Sequence, residues 1–419
     1  MFSVFKNAWK VKDLRMKLFY MLFILLIVRL GTHIPVPGVP MDKLIAPASS
    51  DDAMSIFTLM TGGNYGSLFA MGIGPYINAS IIMQLLTVAI PKLEQINKEG
   101  EDGRKKINQA TRVLAVVLAF LQGAGQIYTI HNSLFIDHSW FAYGAALIAM
   151  VTGTIFIMWL GEKLTECGIG NGSSFIIFAN ILAGLPNGIE QLYLYATGDN
   201  GTMAWIGVAI LLVVFVFIIG FVILVQDGER RIPVQYSKKM AGRTVFGGQS
   251  SFIPIKVNIA GVMSIIFAIS LLQFPQTIKN MFGVTWLDDV VEILSIQKPI
   301  GAIIYIILIF CFTFFYTSFA FNPVEVAENM KKSGGFIPGI RPGKPTSDFI
   351  QGVVDRISLI GACFYALIAI VPIAIGWVFP EIQVGFGGTT LLIVTGVALE
   401  IVKQLESQLL MRHYKGFLS

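Results

Sequence analysis

Ala204-Trp-Ile-Gly-Val-Ala-Ile-Leu-Leu-Val-Val-Phe-Val-Phe-Ile-Ile-Gly-Phe-Val-Ile-Leu-Val-Gln226 runs 23 residues without a charged side chain. A helix of about 20 such residues, rising about 1.5 Å per residue, matches the roughly 30 Å hydrocarbon layer of a bilayer. A helix apolar on every side offers no face to water, so lipid or other apolar helices must solvate it. Working outward, similar stretches recur at 18–36, 73–90, 113–130, 141–160, 173–194, 257–275, 299–320, 357–379 and 386–403, which with 204–226 makes ten predicted spans. Composition agrees. The 419 residues are 55 % apolar and 13 % Asp, Glu, Lys or Arg, about half the charged share of a soluble protein. Such a chain is no secreted disulfide scaffold, cytosolic enzyme, disordered regulator or nucleic-acid binder. Cys167, Cys311 and Cys363 have neither disulfide nor metal-site spacing and read as small hydrophobes. Lysines precede the first span, but no small-residue cleavage site follows it, so it is expected to be retained.

Orientation follows from the basic residues. With the connections alternating sides, the N-terminal side (tails, Lys403 at the end of the last span, and the 91–112, 161–172, 227–256 and 321–356 loops) holds 26 Lys and Arg; the other side holds four, Arg29, Lys43, Lys279 and Lys298. Acidic residues divide 15 to 10, so the faces carry +11 and −6, which sum to the chain's +5. Positive loops stay in the cytoplasm, which places both termini inside. Five spans per half is an odd number, so a second half resembling the first would lie inverted in the membrane, and inverted halves commonly enclose a path at their interface. The expected parts are a tail at 1–17, halves at 18–195 and 196–403, and a second cytoplasmic tail at 404–419.

The interior is defined by what it lacks. The centres of the spans hold almost no Asp, Glu, Lys or His; Arg29 and Glu400 fall inside spans, each near an end. Ion-coupled transporters keep ionisable groups near the midplane despite their cost, and no such group is seen here. His33, His131, His138 and His413 sit at edges, which leaves no zinc helix or catalytic set. Gly168-Ile-Gly-Asn-Gly172 lacks the strand and third glycine of a dinucleotide fingerprint and reads as a tight turn. In Gly334–Lys344, Pro338 stands where a phosphate loop needs glycine. No cofactor is expected. A path without fixed charge suits cargo of varied sequence, sealed by an apolar constriction that excludes water.

Certain segments stand out. The apolar 54–72 stretch is too short to cross and is broken by Gly62, Gly63 and Gly66; it is either re-entrant, which requires protein or a cavity to cover its backbone, or a surface helix on the outer leaflet. Ile73, Ile77 and Ile81 form one stripe of the second span, a pattern that also faces lipid. Asn78, Gln84, Thr87, Gln122, Gln126, Asn180, Asn258 and Gln273 are uncharged polar groups suited to hydrogen bonding between helices. The 227–256 and 321–356 loops are basic and longer than joining two spans requires, which points to docking of a partner.

Several strings then carry a resemblance: Arg29-Leu-Gly-Thr-His-Ile-Pro-Val-Pro-Gly38, Gly74-Pro-Tyr-Ile-Asn-Ala-Ser-Ile-Ile-Met-Gln-Leu-Leu86, Lys98-Glu-Gly-Glu-Asp-Gly-Arg-Lys-Lys106 and Gly168–Gly172. Lys256-Val-Asn-Ile-Ala-Gly261, Phe321-Asn-Pro323, Lys331–Gly343 and Phe386-Gly-Gly-Thr-Thr-Leu-Leu-Ile393 continue it. Over nearly its full length the chain resembles the SecY family, channel subunits of the bacterial Sec protein-conducting translocase. The resemblance implies an all-α polytopic membrane protein, its ten helices in two inverted five-helix halves around an hourglass pore. It places a re-entrant plug helix at 54–72, including Phe57, Leu59, Met60, Gly62, Gly63, Tyr65, Leu68 and Phe69. Ile73, Ile77, Ile177, Ile266 and Ile393 match the pore ring, and Ser173 stands where many relatives carry a further isoleucine. Thr87, Gln122 and Asn258 match a lateral gate through which apolar segments leave for lipid.

The resemblance also implies partners: the membrane subunits SecE and SecG, the SecA motor ATPase, the ribosome, preprotein signal sequences and membrane lipid. Arg230, Arg231, Lys238, Lys239, Arg243, Lys331, Lys332, Arg341 and Lys344 are the expected contacts in the loops. With no ATPase motif, the chain is expected to be a non-enzymatic channel of the plasma membrane, driven by a partner or the proton-motive force. The alternative reading is a secondary transporter of a small apolar solute.

Overall fold

The computed structural model describes residues 2–41, 66–135, 139–197, 201–236, 239–241, 244–246, 250–259, 262–282, 287–296, 298–378 and 388–415. A short amphipathic helix, α1 (Phe2–Lys10), leads into α2 (Lys12–Gly31). The helices α3 (Gly74–Ala89), α4 (Pro91–Lys98), α5 (Glu101–Leu134), α6 (Trp140–Cys167) and α7 (Gly172–Thr197) complete the first half. Pro91 has no N–H to continue α3, and the chain bends by 101° into the exposed α4. The turn at Gly168–Gly172 is tight, as expected: Gly170 has φ +87°, and the Gly172 amide donates to Thr165 Oγ1 at 2.9 Å.

The second half comprises α8 (Gly201–Asp227), α9 (Met263–Phe282), α10 (Leu287–Leu294), α11 (Pro299–Ala320), α12 (Pro323–Lys332), α13 (Lys344–Val378) and α14 (Gly388–Lys415). Each of the ten predicted spans overlaps one of these helices. Among the described residues, six helices are long and apolar enough to cross a membrane, or seven if α3 and α4 count as one broken span. The seventh predicted span begins too early. Its opening Val257-Asn-Ile259 lies outside the helix, which starts at Met263 and continues through Pro275 to Phe282. Glu190 also falls inside a predicted span and is exposed in the closing turns of α7.

Sequence reading missed the strands. The 227–256 connection folds as β1 (Glu229–Tyr236), β2 (Lys239–Ala241), β3 (Thr244–Phe246) and β4 (Ser250–Lys256). β1 pairs antiparallel with β4, Ile232 opposite Ile253, and its far end pairs with β5 (Gly335–Phe336) from the next long connection. Ile232 and Val234 point inward on alternate positions, as a strand requires. They pack with Ile255, Met330, Ile337, Ile350, Val354 and Ile357 into a core separate from the membrane body.

The halves meet along two seams. On one, α9 packs against α5 and α3; on the other, α14 packs against α7. Between them lies the central apolar cluster, fed by α2, α6, α7, α9 and α14. A second cluster, joining α3 to α8, α9, α11, α13 and α14, fills the C-terminal half. Cys167, Cys311 and Cys363 are all free and exposed.

Candidate pore, gate and docking loops

Ile73 caps the start of α3, Ile177 sits two turns into α7, Ile266 opens α9, and Ile393 lies in the second turn of α14. All four belong to the central cluster and are 1–4 % exposed. Ile77, one turn beyond Ile73, is half-buried against both this cluster and the C-terminal core. Ser173 comes close to them. A side-chain carbon on Gly161 of α6 would lie 3.3 Å from Ile73 Cδ1, 3.5 Å from Ile176 Cδ1 and 3.6 Å from Ser173 Oγ. These isoleucines from both halves thus share one apolar cluster, here called the collar, whose branched side chains offer water no hydrogen-bonding partner. Among the described residues, no group of three or more His, Cys, Asp or Glu is placed to hold a metal.

Of the expected plug, Phe57, Leu59, Met60, Gly62, Gly63 and Tyr65 lie outside the described residues. The remainder corrects the expectation of a helix. Residues 66–73 form successive turns, with Ala70 N donating to Ser67 O, Gly72 N to Phe69 O and Gly74 N to Met71 O. Gly66 and Gly72 adopt positive φ, which interrupts helical continuation. The stretch is buried, Leu68 only partly, and leads directly into the Ile73 position of the collar.

The gate residues lie on elements that converge: Thr87 on α3, Gln122 on α5, and Asn258 just before α9. Their expected interhelical hydrogen bonds are not what the structure contains. Thr87 Oγ1 donates at 2.7 Å to Met83 O of its own helix, the usual back-bond of a helical threonine. Among the described residues, Gln122 Oε1 and Asn258 Oδ1 are buried without a donor, as is Gln84 Oε1 on α3. Buried acceptors left unmatched penalise the closed seam rather than fasten it.

The docking loops form one body, because β5 of the second loop completes the sheet begun by the first. Arg230 and Arg231 are exposed on β1; Arg231 bonds Glu229 Oε1 at 2.7 Å, and its guanidinium lies 4.9 Å above the Phe252 ring. Lys331 and Lys332 end α12; Arg341 is exposed in the connection that follows, and Lys344 is exposed at the first residue of α13. Thr346 Oγ1 donates to Arg341 O at 2.8 Å, which fixes the backbone of that turn. Lys239 is on β2, while Lys238 and Arg243 lie outside the described residues. Beyond the predicted fourth span, Lys163 donates to Glu166 at 2.6 Å; this bond and the paired charges push the amine up and the carboxyl down from their ordinary values.

Residues 67–402 match the SecY family model. The chain belongs to the SecY family. Relatives named protein translocase subunit SecY include one from Halalkalibacterium halodurans, 42 % identical over 433 residues, with all of both chains covered. Another, from Streptomyces coelicolor, is 43 % identical over 441 residues, again with full coverage of both. Among solved structures, one described as that of a protein conducting channel aligns over 93 % of this chain and 91 % of its own, with TM-score 0.65 and 19 % identity. A second, on the plug domain of the SecY protein and the closed state of the translocation channel, aligns with TM-score 0.62, 18 % identity and the same coverage. These likenesses carry the fold. The chain is a multi-pass membrane protein of this family.

Proposed function

We propose that the chain is the protein-conducting channel of a translocase: it passes unfolded preproteins across the membrane and releases apolar segments sideways into lipid. One observation carries the reading. At the junction of the halves, Ile73, Ile177, Ile266 and Ile393 belong to one apolar cluster, reached by buried non-helical backbone at 66–73. Such backbone is tolerated at membrane depth only where protein or a cavity covers it, and a collar without charge excludes water without selecting among cargo side chains. Family membership and the relatives' names support the same conclusion.

Finer parts of the proposal follow. All ten predicted spans cross the plasma membrane, both termini are cytoplasmic, and the sheet with its basic rim faces the cytoplasm. SecE and SecG complete the membrane complex, while SecA or a ribosome docks on Arg230, Arg231, Lys331, Lys332, Arg341 and Lys344. The seam of α5 and α3 against α9 is the lateral gate. An apolar segment gains roughly 0.3–0.6 kcal/mol per leucine on leaving for lipid, against a cost of about 3 for a lysine, so cargo sorts without a pocket. The chain itself is no catalyst, and energy comes from the docked motor, the ribosome or the proton-motive force. A solute transporter would use a midplane pocket with polar recognition groups, whereas the centre here is packed with isoleucine.

The test is reconstitution in liposomes with SecE and SecA, scored for ATP-dependent import of an unfolded preprotein. Import supports the channel; saturable flux of a small apolar solute without import would favour the transporter.

A further inference from the structure

Phe69 fills a slot made by two absent side chains. A Cβ on Gly31, the last residue of α2, would overlap the ring at Cδ2, Cε2 and Cζ. One on Gly153 of α6 would overlap the Leu68 carbonyl oxygen and lie 3.0 Å from Phe69 Cδ1. The ring is 3 % exposed and stacks on Phe156 at 6.2 Å, which stacks in turn on Trp159 at 5.9 Å. The adjoining backbone is clamped as well. Leu68 N donates to Ile34 O at 2.8 Å, Val36 N donates to Gly66 O at 2.9 Å, and Pro35 and Ser67 form an isolated antiparallel bridge.

We propose that Gly31 and Gly153 are positioning residues that form a fixed seat for Phe69. Residues 67–73 then stay docked during transport and hold Ile73 in the collar. Three features support a static dock. Phe69 and Ile73 belong to the same apolar cluster, so withdrawing the ring would pull on the collar itself. Leaving the seat would also open a void against two glycines that have no side chain to fill it. Gly66, at φ +81°, adopts the turn that presents its carbonyl to Val36 N and closes the clamped pair. The inference rests on the channel reading above.

A covalent tie provides the test. In a parent with Cys167, Cys311 and Cys363 changed to Ser, Gly31→Cys is combined with Phe69→Cys. Gly31 abuts Phe69 Cδ2 and Cε2, two and three bonds from the Phe69 Cβ, so the pair falls within reach of a disulfide, whose Cβ atoms lie about 3.8 Å apart. The tie is expected to form in the resting channel, and the oxidised complex is expected to import preprotein at the rate of its reduced form. Failure of the tie to form, or import that stops on oxidation and returns on reduction, would overturn the seat. Gly153→Ala gives a second readout: ion leak through the resting channel should rise severalfold while import persists, and an ion-tight Gly153→Ala channel would also overturn it. A Cys-free parent that imports nothing removes the channel reading instead, which separates the two failures.

Discussion

Two residue types separate sealing from structure. Ile73 and Ile393 approach the same collar from opposite halves. An amide in either place brings a polar group into an apolar seal and recruits water, so Ile73→Asn and Ile393→Asn should raise resting ion conductance in planar bilayers on the order of tenfold, the factor corresponding to about 1.4 kcal/mol. Unchanged conductance in both variants would remove these isoleucines from the seal. Tyr305 and Tyr365 present the opposite case: both rings are fully buried in the C-terminal core, and neither hydroxyl has a partner among the described residues. Phe in either position deletes an unsatisfied group without opening a cavity, so thermal unfolding in detergent should show Tyr305→Phe and Tyr365→Phe unchanged or up to about 1 kcal/mol more stable. A loss of that size would instead reveal an acceptor or water bound to the hydroxyl.

The α5–α9 seam and the three-stranded sheet teach different lessons at the scale of elements. Gln122 and Asn258 matched gate positions in the sequence, but which atoms pair across a seam is a matter of rotamers and helix rotation, and their carbonyl oxygens are left without donors. Gln122→Leu relieves such a group in the closed state by about 1 kcal/mol, so import driven by weakly apolar signal sequences should fall roughly fivefold while strongly apolar signals pass as before. A graded series of signal sequences measures this, and an equal response at both ends of the series would count against Gln122 as a gate residue. The sheet was illegible for another reason. Its β1–β5 pairing joins Gln235 to Phe336 across about a hundred residues of sequence, and no local pattern encodes that partner. The alternation of Ile232 and Val234 was the available signal, interrupted by Pro233 and overshadowed by the surrounding charge.

For the whole molecule, topology is the property most open to test. The +11 and −6 faces predict that both termini lie inside, and with them Cys167 at the end of α6. A membrane-impermeant maleimide should leave Cys167 unlabelled in sealed right-side-out spheroplasts and label it in inverted vesicles. The reverse pattern would invert the molecule and move the basic sheet outside. Acidic pairs on the opposite face fit this orientation. Lys279 meets Asp288 at 2.8 Å, and Lys298 pairs with Glu292, whose carboxyl is held below its ordinary value chiefly by that hydrogen bond. That contribution is present above the unfolded carboxylate pKa of about 4.3 and is lost as pH falls through the lower folded value.

The sequence alone determined the membrane class, a helix overlapping each predicted span, and the charge asymmetry, because lipid solvation and loop charge act on each segment independently of its neighbours. It also marked the collar isoleucines, through strings that resemble a family. Only the tertiary structure decided that those isoleucines share one cluster, that Phe69 rests against Gly31 and Gly153, and that two loops build one sheet. Each of these depends on segments far apart in the chain approaching within van der Waals or hydrogen-bond distance, and hydropathy and local spacing carry no record of such meetings.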